Sequence, residues 1–143
     1  MTSQNALYQE YPALWHAYAR IFDALDENKS EEFVDCFTSE GVIFVQGRGE
    51  TRGRELQHYI ARTASGRPCH HFTNFLVTAV SDAKARARAN FVLVGASDGE
   101  LYARGHTDDS LEKGSDGNWR FSGIQFLFNW ASVKYRSGGR VKL

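Results

Sequence analysis

The chain has 143 residues, 42% of them hydrophobic and 24% charged, which suits one globular domain with a sizeable core and excludes the disordered class. Its 17 basic residues balance 17 acidic ones, so no net field attracts nucleic acid or an anionic membrane. No segment approaches the ~20 apolar residues of a membrane span, and no signal peptide is evident. We therefore expect a single cytoplasmic domain over residues 1–143 that recognises its partners by shape and local chemistry.

Two helices are predicted in the first third of the chain. In LYQEYPALWHAYARIFDALDEN the apolar side chains recur at intervals of three and four residues, which is typical of one helix face; they are Leu14, Tyr18, Ile21, Phe22 and Leu25. Asp26, Glu27 and Asn28 are expected to end this helix. The segment KSEEFVDCFTSEG predicts a second helix, with Ser30 as its N-cap and Gly41 as its C-terminal glycine.

Strands dominate the rest of the chain. VIFVQG predicts a short strand, GRGETRG a turn, and RELQHYIARTA a third helix. Four longer strands follow in HHFTNFLVTAVS, KARARANFVLVGA, GELYARGHTDDSLEKG and WRFSGIQFLFNW, and the last two are joined by a hairpin at SDGNW. The alternation of Lys84, Arg86 and Arg88 indicates a solvent-facing side. The end of the chain, from about residue 133, is polar and glycine-containing, and is expected to be mobile or to serve in an oligomer contact.

The order of elements indicates the fold class. Helices come first, then a strand and a helix, and then four strands that can pair antiparallel. This segregation predicts an α+β fold, with a curved sheet wrapped around the helices on its concave face. Such a cone leaves a cavity between helices and sheet where a small molecule could bind.

The segments also resemble a known family. ALDENK at the end of the first helix, HHFTN at the start of the first long strand and DGNWRF near the end resemble the SnoaL-like branch of the NTF2-like superfamily. Its members include scytalone dehydratase and hexachlorocyclohexane dehydrochlorinase. The resemblance covers residues 10 to 132 and implies the NTF2-like cone. In both lyases a His-Asp dyad is the general base, and the matching positions here are Asp26 and His70.

Taken on their own, the two residues leave alternatives open. His70 and His71 are neighbours on a strand, so they point to opposite faces, but neither face is cleanly polar. A histidine with a satisfied hydrogen bond in the core is the common alternative to catalysis. Asp26 lies near the negative end of a helix dipole, which is unfavourable for an acid and therefore suggests a specific partner. The alternative is a solvated acid in the DENK loop.

The strand LYARGHTDD carries a second group of candidates. Tyr102, Arg104, His106 and Asp108 alternate along it, so one face would hold four polar groups. Composition alone favours a solvent face. The resemblance instead implies that this face lines the cavity, with His106 as a general acid, and Arg104 and Tyr102 as substrate-binding groups. Tyr59 on the third helix is a further candidate donor to the substrate, or else a core tyrosine.

The sequence carries no nucleophile motif, phosphate loop or metal-ligand spacing, and its two cysteines form no CxxC pair. We expect neither metal nor cofactor. The leading interpretation is a lyase that removes water or a one-carbon unit from a hydroxylated aromatic or polycyclic molecule. Its alternatives are an isomerase or cyclase, and a non-catalytic subunit or ligand-binding module. Relatives of this fold associate through the convex side of the sheet, which implies a homodimer or homotrimer with IQFLFNW in the contact.

Overall fold

The computed structural model describes residues 4–60 and 68–137. Its elements confirm the α+β class and run in the order α1 (Gln4–Asp26), α2 (Ser30–Asp35), β1 (Phe37–Val45), β2 (Gly49–Arg52), a 3-10 helix η1 (Gly53–His58), β3 (Pro68–Val80), β4 (Lys84–Gly95), β5 (Leu101–Lys113), β6 (Trp119–Ala131) and α3 (Val133–Ser137). The predicted third helix is a 3-10 helix over residues 53–58, and its residues 61–64 lie outside the described part. So do the tail residues 138–143.

The described strands form one curved, mixed sheet in the order β2-β1-β6-β5-β4-β3. Neighbouring strands are antiparallel except β1 and β6, which run parallel. The helix α1 packs mainly across β3 and reaches β6. Its apolar stripe is buried as predicted, because Leu14, Tyr18 and Ile21 are fully covered by the sheet and by α2. The concave face of the sheet is therefore the core face.

The core between α1 and the sheet is largely aromatic. Tyr18 contacts the rings of Phe75 and Phe121 at centroid distances of 4.7 and 5.1 Å. Trp15 packs on Phe72 at 4.8 Å and still exposes 42% of its surface. Edge-to-face and tilted ring pairs of this kind add to the free energy gained from burying apolar area.

A bulge bends β3 around α1. The pairing of β3 with β4 shifts register between Thr73 and Leu76, and Asn74 has a φ of +51°. The extra residue changes the alternation, so that Phe72 and Phe75 both turn towards Trp15 on α1. Asparagine is one of the few non-glycine residues that adopt this left-handed conformation readily.

A close contact between strands explains the glycine in the ARGH segment. A Cβ on Gly105 would lie 2.0 Å from the carbonyl oxygen of Leu127 and 2.7 Å from the Phe91 ring. Gly105 pairs directly with Phe91 and Phe128, and those two rings meet edge to face at 5.4 Å over it. The missing side chain makes room for this pair of rings.

The second helix is shorter than predicted. It ends at Asp35, and β1 begins at Phe37, which pairs with Phe121 of β6. Gly41 lies inside β1 and is not a helix cap; a Cβ there would approach Phe37 within 2.7 Å. Ser30 is the first helical residue, and its neighbour Lys29 occupies the N-cap without a side-chain hydrogen bond. Pairing with β6 overrides the helical pattern of the FTSEG segment.

Two segments assigned to turn or tail also form regular structure. The predicted turn GRGETRG contains β2, which forms a hairpin with β1. Residues 133–137 form α3, whose Tyr135 is only 6% exposed. Among helices within the described ranges, none is long and apolar enough to cross a bilayer.

Candidate functional site

The end of α1 brings Asp26 to the first residues of β3. The Lys29 amide donates to the carbonyl oxygen of Ala24 at 2.9 Å, and Asn28 has a φ of +59°. A hydrogen bond from an amide to the carbonyl oxygen five residues earlier, with a left-handed residue just before that amide, is the Schellman motif that ends many helices. As predicted, the helix ends at Asp26.

Asp26 and His70 form the central contact of the site. Asp26 Oδ1 accepts a hydrogen bond from His70 Nδ1 at 2.6 Å. The backbone amide of His70 also donates to this carboxylate, at 2.9 Å to Oδ2 and 3.1 Å to Oδ1. One carboxylate thus holds both the main chain and the ring of His70. These contacts supply the partner that an acid at a helix C-terminus requires.

Apolar rings surround the imidazole. Phe22, one helical turn before Asp26, stacks on it at 5.5 Å and 22°, and Phe126 of β6 meets it edge to face at 6.3 Å. Leu93 of β4 is its direct cross-strand neighbour. The side chain of His70 is 12% exposed, and that of Asp26 is 21% exposed. The dyad is therefore mostly withdrawn from solvent but still accessible.

This geometry determines the tautomer of His70. A carboxylate can only accept, so Nδ1 carries a proton, and in the neutral imidazole Nε2 holds the lone pair. Among residues 4–60 and 68–137, no hydrogen-bond partner contacts Nε2. An imidazole that is oriented at one nitrogen and has a lone pair on the other can take a proton from a bound molecule.

The candidates on β5 lie on the other side of the sheet. Paired residues on adjacent strands share a face. His70 pairs with Leu93 of β4, and Leu93 pairs with Ala103 of β5, so His70 and the fully buried Ala103 lie on the same face. Arg104 and His106 alternate with that residue and point outwards; Arg104 is exposed, and His106 Nδ1 lies 3.2 Å from Asn129 Oδ1 on the solvent side. The expectation that they line the cavity with His70 is wrong, and the solvent-face alternative holds.

A bulge removes Tyr102 from that alternation. Leu101 pairs with Val94 and Ala103 pairs with Leu93, so Tyr102 is an extra residue between them. It is 8% exposed, stacks on Tyr135 of α3 at 5.7 Å, and its hydroxyl donates to Asp98 at 3.1 Å. Tyr102 thus contacts α3 and the β4–β5 turn; no contact with His70 is seen within the described ranges.

Tyr59 lies just after η1. Its half-buried ring stacks on Phe33 of α2 at 5.3 Å and 15°. This contact fits the core-tyrosine alternative. No contact with the dyad is observed in the described part of the chain, so the structure brings Asp26 and His70 together but neither Tyr59 nor the β5 group.

Two features of the concave face escaped the sequence analysis. Phe126, expected in an oligomer contact with the rest of IQFLFNW, is 5% exposed and faces His70; its alternation with Ile124 and Phe128 was the available signal. Asp109, 1% exposed, accepts hydrogen bonds from the Tyr18 hydroxyl and from the Gln125 amide at 3.1 Å. Burial raises the pKa of Asp109 to about 7, and burial also raises the pKa of Tyr18.

Over residues 4–60 and 68–137, no three His, Cys, Asp or Glu side chains come together as ligands of a metal ion would. The two cysteines are free thiols, and burial raises the pKa of Cys36 to about 11.

Comparison with known proteins gives a family and a set of similar folds. The family described as SnoaL-like domain matches residues 9–125. A Mycobacterium tuberculosis protein of unknown function is 23% identical, with a TM-score of 0.78 over 90% of this chain and 81% of that one. A provisional scytalone dehydratase from Novosphingobium aromaticivorans is 18% identical, with a TM-score of 0.77 over 90% of this chain and 89% of that one.

A third similar structure is hexachlorocyclohexane dehydrochlorinase LinA-type3 from Novosphingobium barchaimii, which is 17% identical, with a TM-score of 0.75 over 91% of this chain and 93% of that one. At these identities the likeness establishes the fold alone. No curated protein matches the sequence significantly.

Proposed function

We propose that this chain, which belongs to the SnoaL-like family, is a cofactor-independent lyase in which His70 is the general base and Asp26 orients it. The substrate is a small hydroxylated molecule, aromatic or polycyclic. The observation that carries the proposal is the 2.6 Å contact between Asp26 and Nδ1 of His70, with Nε2 left without a partner among the described residues. The dehydratase and dehydrochlorinase that share the fold support the reaction class.

The ring environment supports an aromatic substrate. Phe22, Phe126 and Leu93 surround the imidazole with apolar side chains, and apolar surroundings of this kind favour an apolar ligand over a strongly polar one. The Asp26 carboxylate, in contact with Nδ1, stabilises the imidazolium that forms on proton abstraction.

The reaction follows from these two side chains. Nε2 of His70 takes a proton from carbon or from a hydroxyl of the substrate, and the electron pair left behind moves into the conjugated ring system. Expulsion of hydroxide, or cleavage of a carbon–carbon bond by a retro-aldol route, then restores a stable product. The imidazolium returns its proton to the leaving group or to water. General base catalysis of this kind contributes ~10² to 10⁴ in rate.

The base can be tested before the natural substrate is known. A nitrobenzisoxazole loses a C–H proton to any suitably placed base, its N–O bond breaks, and the coloured cyanophenolate is released without further catalytic groups. We expect turnover of this probe by the wild-type protein, and losses of at least ~10² in His70→Ala and Asp26→Asn. His71→Ala, on the opposite face of β3, is the matched control and should keep full activity. Equal activity in all four proteins would contradict the proposal.

Screening of hydroxylated aromatics then separates elimination from isomerisation, because elimination lowers the product mass and isomerisation does not. One observation favours an isomerase or cyclase as the second candidate. Arg104 and His106, the expected helpers of a leaving hydroxyl, lie on the opposite face from His70. A base without an acid beside it suits proton relocation as well as elimination.

We also propose that the protein is a homo-oligomer in the cytoplasm that uses the convex face of the sheet. Trp130 on β6 and Leu101 on β5, two central strands of the sheet, expose 40% and 45% of their surface. Analytical ultracentrifugation of wild type and Trp130→Ser tests this, since loss of a dimer or trimer in the variant is the expected result. A wild-type protein that sediments as a monomer would contradict it.

A further inference from the structure

The helix α1 holds the imidazole of His70 by two contacts, one at the edge of the ring and one at its face. Asp26 binds the ring at its edge, in the ring plane, through the 2.6 Å bond to Nδ1. Phe22 lies against the face of the same ring, with 22° between the planes and 5.5 Å between the centroids. Positions 22 and 26 are one helical turn apart and therefore lie on one side of the helix.

The two contacts constrain different motions. A hydrogen bond to Nδ1 fixes the direction of that nitrogen, but the ring can still tilt about the bond. A second ring stacked on its face blocks the tilt on that side. Phe22 is itself fixed, because it is 3% exposed and also packs on Phe72 at 5.1 Å. Since Phe72 is two residues from His70 on the same face of β3, Phe22 spans both side chains.

The stacked phenyl ring also has an electrostatic effect. The face of an aromatic ring carries partial negative charge and attracts a cation within about 6 Å of its centroid. When His70 accepts a proton, the new positive charge lies between the Asp26 carboxylate and the Phe22 face. Leu93 and Phe126, from β4 and β6, bring no charge, so among the described residues Asp26 is the titratable group in contact with the ring.

We propose that Phe22 is a positioning residue, which fixes the plane of the His70 ring so that Nε2 keeps one direction, and which stabilises the imidazolium during the reaction. The inference rests on the proposed function for its catalytic consequence. Its structural part, the immobilised ring, stands whether or not the protein is a lyase.

The test uses ring dynamics and the probe reaction together. Phe22→Leu and Phe22→Met remove the phenyl face and keep an apolar side chain. As the control, Phe75→Leu removes a β3 ring that packs on Trp15 and Tyr18 and has no ring contact with Phe22 or His70. Carbon-13 relaxation of the imidazole C–H groups reports the ring order parameter. We expect it to fall by at least about 0.2 in both Phe22 variants and to stay at the wild-type value in Phe75→Leu.

Turnover of the nitrobenzisoxazole gives the second readout. Loss of the cation–π contact should lower kcat by about two- to five-fold in the Phe22 variants, with KM of the probe nearly unchanged. An unchanged order parameter in both Phe22 variants would overturn the inference while leaving the Asp26–His70 proposal in place. Inactivity of the wild-type protein would instead count against the proposed base, and a fall in ring order would still support the positioning role of Phe22.

Discussion

Replacing Asp26 by Asn removes one of the two hydrogen-bond acceptor oxygens of the side chain and leaves the side-chain volume almost unchanged. The carboxylate accepts from the amide of His70 at 2.9 and 3.1 Å and from Nδ1 at 2.6 Å. An amide has one accepting oxygen. If that oxygen faces Nδ1, the NH2 group lies against the His70 amide, donor to donor. If the side chain is flipped, Nδ1 must become the acceptor, and the proton moves to Nε2.

Either orientation of the new amide lowers the free energy of unfolding. Hydrogen bonds to a charged group contribute about 1.5–3 kcal/mol and neutral ones about 1 kcal/mol, and an unsatisfied donor adds to the loss. Both side chains are partly exposed, which reduces the effect. We expect Asp26→Asn to lower the free energy of unfolding by about 1 to 3 kcal/mol, measured by urea denaturation at pH 7.

Asp23→Asn is the matched control at the same helix end. Asp23 forms an ion pair with Lys29 at 2.9 Å, and the two side chains are 55% and 41% exposed. Surface pairs of this kind contribute little, so the control should change the free energy of unfolding by less than about 0.5 kcal/mol. An Asp26→Asn protein as stable as this control would refute the reasoning, because the three contacts would then have no net value.

Three further predictions concern the frame of the site. Asn74→Ala should lower the free energy of unfolding, measured by urea denaturation, by about 1–2 kcal/mol, because alanine is strained at a φ of +51°. Gly105→Ala should lower the free energy of unfolding by at least about 1–3 kcal/mol, because the new Cβ would lie 2.0 Å from the carbonyl oxygen of Leu127. Burial raises the pKa of Asp109 to about 7 in the folded protein, above its usual value of 3.8. Its protonated form therefore favours the folded state, and that contribution should decline between pH 4 and 8, measured as the stability difference between wild type and Asp109→Asn.

Each of these has a control. Asn74→Gly should match wild type, and equal losses in the Ala and Gly variants would show that the left-handed backbone is not the cause. Gly123→Ala tests the effect of a methyl group alone, because a Cβ there meets no atom within 4 Å. A stability difference between wild type and Asp109→Asn that does not vary with pH would rule out a raised pKa at this carboxyl.

Periodicity predicted the parts of the fold that local sequence determines. The stripe from Leu14 to Leu25 and the alternation of Lys84, Arg86 and Arg88 are both confirmed, because each follows the repeat of its own element. The same argument failed at Gly41, where pairing of β1 with a strand far along the chain decided the structure.

The family resemblance predicted the two central residues of the site but not its other members. Asp26 and His70 were placed by their likeness to a family motif, and they are in contact. His106 was misplaced by the resemblance, which implied that its face lines the cavity, whereas composition alone favoured the solvent face. The bulge at Tyr102 is set by pairing with β4, which the sequence of β5 does not reveal. Phe22 was recognised as core, but its contact with His70 joins residues of distant elements and has no local signature.

The parallel pairing of β1 with β6 constrains the order in which the protein can fold. Ile43 pairs with Ile124, so this contact closes a loop of more than half the chain. The hairpins of β3 to β6 join neighbouring segments and can form early, whereas β1 must wait for the last strand, and long-range pairing of this kind slows folding. The β1–β2 hairpin therefore exposes the edge of β1 until β6 arrives, and this interval is when a newly made chain is most open to aggregation.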